Sequence, residues 1–150
     1  MTSAVHMAGM GLAISVVAPA LVLATRRGVA WQRVPAPPLL VLPAFVALHA
    51  VVTVAGHAVT PFGPWLALHG ALFAGAVWFW LPVLAGRNSP ALRSVYLFLA
   101  GPALDLAAIY LIIAGDVAGG LAMIVAMLPI GLAAVAVTWR WITEEERRAW

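Results

Sequence analysis

"VHMAGMGLAISVVAPALVLATRR", residues 5–27, decides the fold. No charged side chain stands between His6 and Thr25, and two arginines close the run. A helix that crosses a hydrocarbon core needs about 20 mainly apolar residues, and this stretch supplies them. The rest of the chain has the same character. Of its 150 residues, 65% are hydrophobic and 9% charged, with a mean hydropathy of +1.05. A soluble domain carries roughly 25% charged residues; so few could not cover a surface that faces water. The expected class is therefore an all-α integral membrane bundle, folded as one domain over residues 1–150.

Five stretches are long and apolar enough to span: about 4–25, 39–60, 65–86, 91–114 and 117–139. The breaks between them hold turn residues, "TPFGP", "GRNSP" and "GDVAGG" among them. Prolines within the spans (Pro19, Pro43, Pro82, Pro102 and Pro129) are tolerable where neighbours satisfy the freed carbonyls, and they predict bent helices. Small residues in the third span (Gly70 with Ala74, Ala71 with Gly75) permit close helix contact. A cleaved secretory signal is not expected, because no basic residue precedes the first run and no cleavage site follows it.

Charge placement orients the bundle. The net charge of +3 comes from eight basic residues, all arginine, against five acids. Arg26, Arg27 and Arg33 fall after the first span, Arg87 and Arg93 after the third, and Arg140, Arg147 and Arg148 after the fifth. All lie on one side of a five-span chain. The positive-inside rule then predicts an outer N-terminus and a cytoplasmic C-terminus. In this setting basic residues report topology rather than nucleic-acid binding. The tail "WRWITEEERRAW" suits a helix leaving the membrane, with Trp139 and Trp141 at the interface. The chain has no cysteine, which excludes thiol redox chemistry, disulfides and Cys-ligated metal.

With that topology, His6, His57 and His69 fall at similar depth near the outer ends of three consecutive spans. Met7 and Met10 flank His6, and Met10 lies about one helical turn from it. Imidazole and thioether are donors suited to copper, Cu(I) especially. The competing reading is structural, since such histidines bond nearby carbonyls and methionines fill gaps in apolar cores. His49 lies about two turns deeper than His57. Asp105 sits near the middle of the fourth span, where an ionised carboxylate is expensive. A structural hydrogen bond or a His49–Asp105 pair is expected there, with a proton or metal path left open. Tyr110 could act as a supporting group, and Asp116 reads as a solvated loop residue. No nucleophile–base arrangement, phosphate loop or haem-attachment motif is present, so a non-enzyme is expected.

Four segments, "HMAGMGLAISVVAPALVL", "LHGALFAGAVWFWLPVLAG", "RSVYLFLAGPALDLAA" and "GGLAMIVAMLPIGLAAVAVTWRWITEEER", resemble in order the helices of the CtaG family. That family is linked to assembly of heme–copper cytochrome c oxidase of the caa3 type. The resemblance spans nearly the whole chain and implies a shortened member that lacks the family's N-terminal helices. It implies copper as cofactor, with His6, His57 and His69 at the positions of the family's histidines; Met10, by its spacing to His6, completes the expected metal set His6, Met10, His57 and His69. It also implies a bacterial cytoplasmic membrane location and an oxidase or other bioenergetic complex as partner, besides membrane lipids. The alternative is a non-catalytic accessory subunit of a respiratory or photosynthetic complex. A third reading is a small anchor contacting b-haem or quinone.

Overall fold

The computed structural model describes residues 3–55 and 61–150. Five helices among them are long and apolar enough to cross a membrane, as in a multi-pass membrane protein: α1 Ser3–Thr25, α2 Pro38–Ala55, α3 Phe62–Leu84, α4 Pro90–Ile113 and α5 Val117–Ala149. No strand occurs among the described residues. Large apolar side chains such as Leu39, Phe62, Leu106, Ile113 and Leu132 stand exposed around the bundle, as suits a lipid-facing surface.

Local chemistry sets the helix ends. Pro61 caps α3, so Phe62 to Pro64 form its first turn rather than the loop predicted from "TPFGP". A proline there lacks only an N–H that the first turn would leave unpaired. Ser89 caps α4 by accepting from Leu92 N at 3.2 Å, with Pro90 at the first helical position. Gly86 (φ +77°) and Gly115 (φ +99°) follow the ends of α3 and α4, a left-handed stop that costs glycine little. Asp116 is not a solvated loop residue. It caps α5 by accepting from Gly119 N at 2.9 Å, and it also accepts from the Ser3 hydroxyl. That bond ties the starts of α1 and α5 together.

The helices close into a ring in the order α1, α3, α2, α4, α5, with α5 packed on both α4 and α1. Glycine permits several close approaches among the described residues. A Cβ on Gly11 would lie 2.7 Å from Ala126 Cβ, one on Gly75 2.8 Å from Leu48 Cδ2, and one on Gly120 2.6 Å from the Ala108 carbonyl oxygen. Of the small-residue pairs in the third span, Gly75 therefore meets a neighbour, whereas Gly70 faces open space.

One irregularity shapes the functional end. Within α1, residues Ala13–Val17 form a π-helical turn, in which Ala18 N–H bonds Ala13 O. The carbonyl of Ile14 must then look to residue 18, already committed, or to Pro19, which has no N–H. The indole of Trp80 on α3 fills the gap, donating to Ile14 O at 2.8 Å. Two further proline bends are held from neighbouring helices. Ser15 Oγ donates to Ala126 O at 2.6 Å, three residues before Pro129. Tyr96 Oη donates to Phe79 O at 2.8 Å, three residues before Pro82. Before the π turn α1 leans on α5; after it, α1 packs on α3. The first half of α1 and the start of α3 thus splay apart.

The arginine-bearing segments meet at the other end of the bundle. Arg87 donates to Val34 O, Trp78 Nε1 to Pro35 O at 2.9 Å, and Arg93 Nε to Asn88 O at 2.9 Å. Arg93 and Arg140 line one crevice with Glu144.

Candidate functional site

The splay between α1 and α3 opens a cleft of about 260 Å³, lined by His6, Met10, Trp65, His69 and apolar neighbours. Helical spacing prepares each wall. His6 and Met10 lie four residues apart on α1, as do Trp65 and His69 on α3, so each pair shares a face. The rings of Trp65 and His69 stack, with centroids 4.1 Å apart. His6 meets His69 edge-on, at a centroid distance of 5.1 Å and an interplanar angle of 65°.

Hydrogen bonding orients the imidazoles. His69 Nδ1 lies 2.9 Å from Trp65 O, and since a carbonyl only accepts, Nδ1 carries the proton. In the neutral ring Nε2 then presents a lone pair, and it faces His6 Nε2 at 3.3 Å. Without a third group between them, His6 donates its Nε2–H to His69. The same separation has a second meaning. Two metal–nitrogen bonds of about 2.0–2.1 Å meeting at a tetrahedral angle set their nitrogens about 3.3–3.4 Å apart. A linear pair would need about 4 Å. The separation by itself matches two nitrogens at a tetrahedral angle and not a linear pair. The Nδ1–H to carbonyl bond is the outer support that metal-binding histidines use to fix tautomer and ring angle. Met10, 7% exposed, adds a thioether to the cleft wall.

The structure thus brings together three of the four residues expected at the site. The fourth, His57, lies outside the described residues. Among the described residues no group of three His, Asp or Glu side chains is close enough to hold an ion; the cleft carries the His6–His69 contact, with Met10 in its wall. Met7 is buried in the core at 1% exposure and does not line the cleft. Trp65, which both stacks on His69 and supplies its carbonyl, went unread in the sequence. Its i, i+4 spacing to His69 was the available signal.

The expected His49–Asp105 pair does not form. His49 is fully buried beside Phe45, and neither ring nitrogen has a hydrogen-bond partner among the described residues. Asp105 is partly exposed on α4, one residue from the lipid-facing Leu106, which is 63% exposed. Equal depth on two helices does not ensure facing sides, and the rotation of α4 sends Asp105 outward. Tyr110 is likewise exposed and far in sequence and helix order from the cleft. Compared with protein-family models, curated proteins and solved structures, the chain matches none.

Proposed function

We propose that this protein is a copper-handling, non-catalytic membrane protein of the CtaG type, serving assembly of a heme–copper cytochrome c oxidase in a bacterial cytoplasmic membrane. In this reading the cleft end faces outward and the arginine end faces the cytoplasm, as the positive-inside rule predicts. His6, His69 and Met10 hold the ion, with His57 a further donor from the second span. One observation carries the reading: Trp65 O orients His69, whose Nε2 stands 3.3 Å from His6 Nε2. Soft thioether and imidazole donors, without thiol, suit Cu(I) carried where thiols would oxidise. The shallow cleft leaves the ion accessible for transfer.

Titration of the detergent-purified protein with Cu(I), in competition with a chromophoric chelator, tests this. One equivalent should bind, and the His6→Ala/His69→Ala variant should lose it. Equal chelator competition by both proteins would defeat the proposal.

A second reading, an accessory subunit of a larger respiratory or photosynthetic complex, is favoured by Asp105. A carboxylate in the middle of a span with no partner among the described residues is costly in lipid. A partner helix that presents a hydrogen-bond donor at that depth removes the cost. Under this reading a complex survives mild detergent and is lost in Asp105→Leu. Isolation of both proteins as the same single species would refute it.

A further inference from the structure

At the arginine end, a cavity of about 610 Å³ lies where α1 runs into residues 26–32 and meets the end of α3. Its walls are of two kinds. Leu23, 46% exposed on the membrane-spanning surface, and Leu84 form an apolar side, while Arg26, Arg27 and Gln32 form a polar side. Trp31 closes the floor, anchored by its indole N–H to Thr25 Oγ1 at 3.0 Å.

Arg33, Arg140 and Arg147, like Arg26 and Arg27, hold no side-chain partner among the described residues, but of all these only Arg26 and Arg27 line the cavity. Arg87 holds Val34 O, Arg93 holds Asn88 O, and Arg148 pairs with Glu145 at 3.1 Å. Arg26 and Arg27 make no hydrogen bond or ion pair among the described residues, and no carboxylate lines the cavity. Two adjacent guanidinium groups without a counterion, beside an apolar wall at a span's end, match one chemistry: an anion attached to a hydrocarbon tail.

We propose that this cavity binds the headgroup of an anionic glycerophospholipid. Arg26 and Arg27 take the phosphodiester oxygens, for which the planar guanidinium fork is suited. The Gln32 amide serves glycerol oxygens, and the first acyl methylenes lie along Leu23 and Leu84. A free phosphate would use the arginines but leave the apolar wall without a role.

Native mass spectrometry of the full chain in neutral detergent, with equimolar phosphatidylglycerol and phosphatidylcholine, tests the site. Phosphatidylglycerol should be retained preferentially. Retention should fall about fivefold in each of Arg26→Gln and Arg27→Gln, from the usual strength of a basic residue at an anionic membrane surface, and further in the double variant. Arg147→Gln/Arg148→Gln removes the same charge from the tail of α5 and should retain the lipid. Equal retention of the two lipids, or equal loss in both double variants, overturns the proposal. Displacement of phosphatidylglycerol by millimolar inorganic phosphate also overturns it, in favour of a free-phosphate site. Both arginines are exposed, and matching far-UV circular dichroism of each single variant confirms that folding is intact.

Discussion

The bond from Trp80 to Ile14 O offers a direct test of how the bundle is held. Trp80→Phe removes the side-chain donor to this carbonyl among the described residues: Ala18 N–H serves Ala13 O, and Pro19 has none to give. Trp80 is 3% exposed, so water does not replace the indole. An orphaned buried carbonyl costs about 1–3 kcal/mol, and the smaller ring adds a packing loss of about 1–2 kcal/mol. Wild type should therefore exceed the variant by about 2–5 kcal/mol. The diagnostic step is the same substitution in a Pro19→Ala background. An amide at residue 19 gives α1 a backbone donor for this turn, whether the π turn persists or relaxes to α. Trp80→Phe should then cost only its packing part, and the cycle should show coupling of at least about 1 kcal/mol. Reversible unfolding in mixed SDS micelles, followed by far-UV circular dichroism, measures all four proteins. Additivity within about 0.5 kcal/mol would refute the claim that Pro19 makes Ile14 O dependent on Trp80.

Three further outcomes are expected in the same assay. Gly120→Ala places a methyl 2.6 Å from the Ala108 carbonyl oxygen and 2.5 Å from Ile112 Cγ1; it should destabilise by about 1–3 kcal/mol, while Gly131→Ala, with nothing within 4 Å, should be neutral or mildly stabilising. Equal effects would show that α4 and α5 do not approach as described. Tyr96→Phe leaves Phe79 O beside Pro82 without its side-chain donor and should cost about 1 kcal/mol; an unchanged midpoint would contradict the bond. Gly115→Ala forces a methyl-bearing residue to φ +99° and should cost about 1–2 kcal/mol, whereas a stabilised protein would mean that α4 ends differently.

The spans were legible because hydrocarbon thickness sets helix length and because proline, glycine and capping residues mark the breaks. Boundaries shifted where a proline belonged to a first turn, as at Pro64, rather than to a loop. The cleft was half legible. Depth could be counted along each span, which put His6 and His69 level, and helical spacing joined Met10 to His6. Rotation about each helix axis could not be counted that way, since spans apolar all round show no buried face. The same lack of a marked face made a His49–Asp105 pair plausible on depth, and packing turned Asp105 outward instead.

The sequence by itself determined that this chain forms five apolar helices and that its arginines gather at one end, because these follow from local chemistry and from the alternation of consecutive spans. Only the tertiary structure decided which helices are neighbours: α1 beside α5 and α3, with α2 between α3 and α4. It also decided that a π turn before Pro19 carries α1 from one neighbour to the other and opens the cleft that His6 and His69 bridge. Those outcomes depend on long-range pairings, a Trp80 indole on a carbonyl 66 residues away and a Gly11 face fitted to Ala126. No local pattern encodes a contact whose partner lies on another helix.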